Sequence, residues 1–309
     1  MELLTLPLLL LLLALTYTAS TNDECPLTRP HLSPAPLTPT WQASFPGSGS
    51  RMTWSLIQAL SGLQTGDDFN THNFGFANVV TVKTHYPVKT ARNTFDDIDI
   101  NFHKAIVLLR NPIHAIPSYF NLLYERKYHL PNHSTRGSNE EWIQYRDHRG
   151  HGLMYQMDMF EKFVVYWMER FKVSRNDLLL VSYEDLVDVN GADVTMRIVD
   201  FLMRDNGRDV LDIDLDKVEC VWRKVVKFKA VQTQTQQQEM RDVEEVVRNT
   251  KANPHSLREG PRDRPYEQHQ LEGMLAVLQR LMEVFSYDDE FVRIVRGYIH
   301  VVSNTAPIN

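Results

Sequence analysis

The sequence predicts an α/β fold, a central parallel sheet with helices on both faces. Three observations carry that expectation. From residue 41 onward, short apolar runs alternate with amphipathic stretches of helical spacing. The valine-rich run Val79-Val80-Thr81-Val82 and the run Ala105-Ile106-Val107-Leu108-Leu109 read as strands buried on both faces. Three of the runs end in proline or glycine turns that carry polar or charged residues, the punctuation expected at strand ends.

A chain of 309 residues can bury a large core, and one domain over 41–303 accounts for the pattern. The formal charge of −6 argues against a nucleic-acid partner. It leaves an anionic small ligand open, because cations and helix N-termini inside a cleft set the local potential.

Residues 1–20 read as a targeting segment. Leu3 to Leu15 is almost continuously apolar, and Thr16 to Ser20 supplies small residues for cleavage. A cleaved signal peptide is expected, with a short signal anchor as the alternative, which would make membrane attachment the exception. Either route leads to the secretory pathway, in the Golgi lumen or outside the cell. Residues 21–40 are rich in Pro, Thr and Ser and read as a linker.

The first strand, from Trp41, runs into Pro46-Gly47-Ser48-Gly49-Ser50-Arg51. Met52, Leu56, Ile57, Leu60 and Leu63 then mark a helix. Glycines let a backbone approach an anion closely, and a helix start offers unpaired N–H groups and the positive end of its dipole. The loop lacks the Gly-Lys-Ser/Thr ending of nucleoside triphosphatases; an ordinary Pro-Gly turn is the plainer reading.

The second strand ends in Lys83 and His85. Alternate residues of an extended segment share a side, so a fixed cation and a near-neutral base project together. The third strand ends at Arg110, with Asn111 placed to cap a helix that starts at Pro112 and carries Ser118 two turns on. A planar guanidinium fork matches a phosphate, although a single arginine can equally pair with a carboxylate.

Further on, Leu153–Lys172 is a long helix with a Met-aromatic core stripe, Leu178 begins a strand that runs up to Tyr183, and Ala192–Met203 and Leu271–Phe285 are helices. Gln232–Arg248 is polar and read as exposed. Cys25 and Cys220 are the two cysteines. They can pair in an oxidising compartment, but the apolar neighbours of Cys220 favour a buried thiol and no structural disulfide. Asn132-His133-Ser134 is an N-glycosylation sequon. His148 and His151 flank a glycine in a charged loop and read as solvated, and no cluster has metal-ligand spacing.

Taken together, these segments resemble the sulfotransferase family. Trp41–Arg51 is similar to its 5′-phosphosulfate loop. Lys83-Thr84-His85-Tyr86-Pro87 is similar to its catalytic strand end. Arg110-Asn111-Pro112 with Ser118 resembles its 3′-phosphate site. Leu178 to Leu186 resembles the strand end that sets an aromatic residue by the adenine.

The resemblance implies a three-layer P-loop-like fold and the sulfuryl donor 3′-phosphoadenosine-5′-phosphosulfate. By position it implies Pro46, Gly47, Ser48, Gly49, Ser50 and Arg51 at the 5′-phosphosulfate, and Arg110 and Ser118 at the 3′-phosphate. His85 would be the base, Lys83 the stabiliser of developing charge, and Tyr183 the border of the adenine. Arg258 and Gly260 resemble a late segment that closes over the 3′-phosphate; a solvated charged loop is the alternative.

Two positions depart from the family pattern. Gly47 stands where soluble members commonly carry a loop lysine, with Arg51 near enough in sequence to replace it. Met52 stands where they carry a tryptophan, with Trp54 nearby. The implied activity is sulfuryl transfer to a hydroxyl of a glycan or small molecule, with Tyr119–Tyr145 forming part of its pocket. The alternatives are a non-catalytic binding protein on the same fold and an ATP-dependent phosphotransferase.

Overall fold

The computed structural model describes residues 25–27, 29–68, 78–88, 102–206, 210–226 and 264–308. Five strands, β1 (Thr40–Ser44), β2 (Gly66–Asp67), β3 (Thr81–Thr84), β4 (Ala105–Leu109) and β5 (Leu178–Ser182), pair in parallel in the order β2-β3-β1-β4-β5. The period of two along each strand divides the core into two halves. Trp41, Ala43, Val82, Ala105, Val107, Leu109, Leu178 and Leu180 face one layer, and Ile106, Leu108 and Val181 face the other.

The second face is covered by α1 (Ser50–Ser61), together with two helices from the later chain. The first is covered by α2 (Pro112–Lys127), α3 (Asn139–Arg146) and α4 (Leu153–Arg170). After β5 come α5 (Tyr183–Val187), then α6 (Gly191–Asn206) and α7 (Val218–Val225), which join α1. The hairpin of α8 (Gln268–Val284) and α9 (Asp289–Ser303) joins α4.

The expected α/β architecture is therefore the observed one, including helices that begin or end within a few residues of their sequence limits. Four helices, α3, α5, α7 and α9, are not among those expected from sequence. α3 starts with a capping box, Ser138 and Glu141 bonding each other's backbone N–H. α9 spaces Phe291, Ile294, Val295, Tyr298 and Val302 along one buried face.

Chain direction away from β1 reverses in this order, since β3 lies on one side of it and β4 on the other. Open parallel sheets leave a crevice beyond the C-terminal strand ends at such a point. Three of the sequence motifs end on these three strands.

The crevice walls rest on buried polar anchors. Lys104, at the start of β4, donates to the Phe201 carbonyl at 2.6 Å and pairs with Asp205 at 3.0 Å. Pro117 lies inside α2 and has no N–H to give the Ile113 carbonyl four residues back. Tyr266 fills that role, its hydroxyl donating to Ile113 O at 2.7 Å. Nearby, Arg146 and Trp142 both donate to the Pro265 carbonyl, and Arg264 donates to Asn121 Oδ1 and Gly137 O. These bonds seat the chain at 264–267 on α2 and α3.

The cysteines depart from the sequence expectation. Cys25 and Cys220 form a disulfide, Cα atoms 6.2 Å apart across 195 residues of sequence. Val218, Val221 and Trp222 of α7 are buried, while Cys220 turns toward the N-terminal strand of chain. The apolar neighbours therefore describe the helix, not the thiol. The proline-rich stretch read as a linker lies against the domain where it is described. His31 bridges to Leu63, Thr38 N donates to Asn206 Oδ1 at 2.7 Å, and Leu37 is buried. The leader (1–20) and Gln232–Arg248 lie outside the described residues.

A cross-link closing so long a loop restricts the unfolded chain, so Cys220→Ser is expected to cost about 2–4 kcal/mol of stability. Denaturant unfolding with and without reductant checks this. Reductant should destabilise the unaltered protein by a similar amount and leave the variant unchanged.

Candidate active site

The loop after β1 is shaped by two left-handed glycines. Gly47 has φ +84° and Gly49 φ +93°, a region closed to most side chains. A Cβ on Gly47 would lie 2.1 Å from the Ala115 carbonyl oxygen and 2.8 Å from Tyr119 N, so α2 crosses this loop in backbone contact. A Cβ on Gly49 would strike the Tyr183 ring at 2.7–2.8 Å. Gly49 is also the N-cap of α1, and no side chain caps that helix. The first amides of α1 are thus available to an anion. Ser48 is fully buried and its Oγ has no hydrogen-bond partner.

Arg110 follows β4 and reaches back to this loop. Its Nη1 donates to Gly47 O at 2.7 Å, its guanidinium stands 4.2 Å over the Tyr183 ring, and its buried Nε lacks a partner. It forms no ion pair among the described residues, and the Glu184 carboxyl feels its charge. Asn111 caps α2 as its position suggested, accepting from Ile113 N at 3.2 Å, while its own N–H donates to Glu184 at 3.0 Å. Burial holds the Glu184 carboxyl above the usual range, opposed by that amide bond and by Arg110. Ser118 is part-exposed on α2, next to the Tyr119 amide that meets Gly47.

On the other side of β1, the register sets Lys83 beside Gln42 and continues to His85 beside Ser44. His85 Nδ1 lies 2.7 Å from the Ser44 carbonyl. A carbonyl can only accept, so Nδ1 carries the hydrogen and Nε2 of the neutral ring keeps its lone pair. The ring is partly accessible yet densely enclosed. Desolvation first, then Lys83, Arg126 and Arg51, pushes its pKa down to about 3 against the Ser44 bond. Lys83 is buried, and its pKa is lowered by desolvation in opposition to Asp67 and Asp68. Its Nζ stands 5.6 Å over the Trp54 ring. Met52, by contrast, is buried in the core beneath α1, so of the two replacements considered for the family tryptophan only Trp54 faces the crevice side.

Sequence reasoning passed over Asp68 and Arg126. Asp68 is buried just after β2, donates its N–H to Lys83 O at 3.0 Å and accepts from Thr84 Oγ1 at 2.7 Å. Desolvation raises its pKa to about 6. A two-residue strand gives no periodicity to mark it. Beyond His85, Trp167 Nε1 fixes the turn by donating to Tyr86 O at 2.8 Å, and the Tyr86–Pro87 peptide is cis.

The structure thus brings Pro46 to Arg51, Lys83, His85, Arg110, Ser118 and Tyr183 to one crevice. Arg258 and Gly260 lie outside the described residues. The residues present fit a ligand with two anionic ends. The α1 amides, Ser48 Oγ and Lys83 are the groups that could hold one end, and Arg110 and Ser118 the other. His148 and His151 stack 3.4 Å apart on the exposed surface, and among the described residues no group of acidic, histidine or cysteine side chains could hold a metal ion.

A family model for the sulfotransferase domain matches residues 77–258, more than half of the chain. The match includes Lys83, His85, Arg110, Ser118 and Tyr183, and leaves the glycine loop to the geometry above. A search of curated proteins finds no match.

The His85 environment makes a pH prediction. Its folded pKa lies below the ordinary 6.5, so the unfolded chain binds the extra proton. The stability this contributes is present above pH 6.5 and is lost as pH falls toward 3. Imidazole 15N spectra should show His85 as the Nδ1–H neutral tautomer, with no titration between about pH 5.5 and 8. A midpoint near 6.5 would show that burial does not control the ring.

Proposed function

Since the chain belongs to the sulfotransferase family, whose chemistry is sulfuryl transfer, we propose that its donor is 3′-phosphoadenosine-5′-phosphosulfate and its acceptor a hydroxyl group. The observation that carries this reading is the His85–Ser44 bond. It leaves Nε2 as a proton acceptor beside a buried lysine, at the mouth of an uncapped helix and a glycine cradle.

When bound, the donor supplies an activated sulfuryl group and a phosphate leaving group. The Gly47–Gly49 loop and the α1 amides would hold the 5′ end, and Arg110 Nε with Ser118 the 3′-phosphate. Tyr183, wedged between Gly49 and Arg110, presents a ring to the base. His85 Nε2 takes the hydroxyl proton as the acceptor oxygen bonds to sulfur. The resulting imidazolium keeps its Nδ1 hydrogen on Ser44 O. Lys83 faces the charge that develops on the departing phosphate oxygen. Anions in the cradle offset the cations that depress His85, so its basicity rises in the loaded site.

The setting we propose is the lumen of the secretory pathway or the cell exterior. The disulfide, the apolar leader and the exposed Asn132 of the sequon support it. Among the described residues no helix is long and apolar enough to cross a membrane.

Two measurements test the reaction. First, adenosine 3′,5′-bisphosphate should raise the melting temperature well beyond AMP or ATP. Arg110→Ala should weaken its binding by at least about tenfold, the loss expected for a charged bidentate contact; equal binding of AMP and the bisphosphate would reject the 3′-phosphate site. Second, His85→Ala should lower kcat for transfer of labelled sulfate by about 10²–10⁴-fold with bisphosphate affinity kept. Turnover at the unaltered rate would make His85 a structural residue.

A further inference from the structure

Two arginine side chains in the crevice are given no contact in the donor arrangement above: Arg51, which the family resemblance sets at the 5′-phosphosulfate loop, and Arg126. Arg51 is the second residue of α1 and Arg126 lies in the last turn of α2. Arg126 is exposed and Arg51 partly so, and among the described residues neither side chain makes a hydrogen bond or ion pair.

The backbone brings them together. α2 starts beyond β4 and touches the β1 loop at Ala115 and Tyr119. It then runs on for about 10 Å at 1.5 Å per residue. Arg126 is seven residues past Tyr119, so it lies on the face that rests on the loop. That extension carries Arg126 over the β3 side of the crevice. On α1, Arg51 and Trp54 are three residues apart and share a face, and Trp54 lies against Lys83. The charges of both arginines are felt at Lys83 and His85, and Arg51 feels that of Arg126 together with the opposing charges of Asp67 and Glu125.

The nearby acids are already engaged. Glu125 is fully buried and accepts from His133 N and Thr135 N at 2.8 and 2.9 Å. Asp68 holds Thr84, and Asp67 has a partner of its own. Two guanidinium groups whose charges reach His85 therefore keep their N–H donors unpaired among the described residues. Between them on α2 stands the part-exposed Tyr119, and the Tyr145 hydroxyl close by is buried with no hydrogen-bond partner.

We propose that Arg51 and Arg126 form an acceptor subsite for an anionic substituent, so that the hydroxyl sulfated belongs to a molecule bearing a carboxylate or sulfate close by. This rests on the sulfotransfer reading and narrows its acceptor class. A planar fork binds either anion in two-point contact.

The test uses matched glycosides and the full chain. Calorimetry compares p-nitrophenyl β-glucuronide, the neutral β-glucoside and the sulfated glucoside, with and without adenosine 3′,5′-bisphosphate. At least one anionic probe should bind about tenfold or more tighter than the glucoside, a preference that weakens with salt; which one separates carboxylate from sulfate. Arg126→Ala should bring the ratio to within about threefold and Arg126→Lys should retain most of it, with bisphosphate affinity unchanged in both. A ratio near one, no binding of any anionic probe, or a ratio indifferent to Arg51→Ala and Arg126→Ala overturns the subsite. If Arg51→Ala instead weakens the bisphosphate and spares the ratio, Arg51 serves the donor and the two-arginine subsite is wrong. Failure of the unaltered protein to bind the bisphosphate would sink the donor assignment alone, because the glycoside ratio is read without it.

Discussion

The backbone contact between Gly47 and α2 is the constraint on which the crevice depends. With the Ala115 carbonyl 2.1 Å from where a Cβ would sit, no side chain fits at position 47. The helix can then lie directly on the loop, and Arg110 locks the pair by donating to Gly47 O. The absence of a loop lysine follows from this path. A lysine there would have to displace α2, and with it Ser118 and Arg126. The cation lost from the loop is offset within the crevice by Lys83, held close to His85.

Burial governs the electrostatics of the site more than pairing does. Lys83, His85, Asp68 and Glu184 are all shifted toward their neutral forms, with desolvation as the first cause in each case. Such a site holds its charges at a cost, and that cost falls when an anion enters. The orphaned Ser48 Oγ and Arg110 Nε point the same way, since a buried polar atom without a partner is a cost that a phosphate oxygen would remove. The helical layers supply the rigidity this needs. Where Pro117 breaks the α2 ladder, Tyr266 repairs it from outside the helix, tying the stretch that leads into α8 to the helix that carries Ser118.

Much of this was legible in the sequence because it depends on local chemistry. The β4 run followed by Arg110, Asn111 and Pro112 specifies strand, crevice residue, cap and first helical turn in order. Gly47 and Gly49 announce a backbone that side chains could not follow. The parts that stayed hidden are tertiary coincidences. Cys25 and Cys220 meet only because the N-terminal segment packs over α7, and the apolar residues beside Cys220 pointed to a buried thiol. Arg126 reads in sequence as an ordinary basic residue in a helix's last turn. Its place over β3 follows from where α2 crosses the loop, which no local pattern encodes. Asp68 is similar, fixed by Thr84 and Lys83 from a neighbouring strand.

Sheet register sets the catalytic geometry more directly than any side chain does. β1 and β3 pair with Ala43 beside Thr84, so the next residues, Ser44 and His85, stand together as both strands end. The Ser44 carbonyl then has no further ladder partner on β3 and is left to select the His85 tautomer. Because strand side chains alternate, a slip of one residue would turn Lys83 and His85 to the opposite layer, toward α4, and bring Thr84 to the crevice. The slip is opposed by the strands' own apolar residues. Val82 packs in the α4 layer with Trp41 and Ala43, and Ile106 and Leu108 of β4 in the α1 layer with Leu56 and Ile57. The slip would take Val82 out of the α4 layer and drive Lys83 and His85 into it. The hydrophobic pattern that folds the sheet is thus also what aims the imidazole, and the arrangement of the site is as stable as the core beneath it.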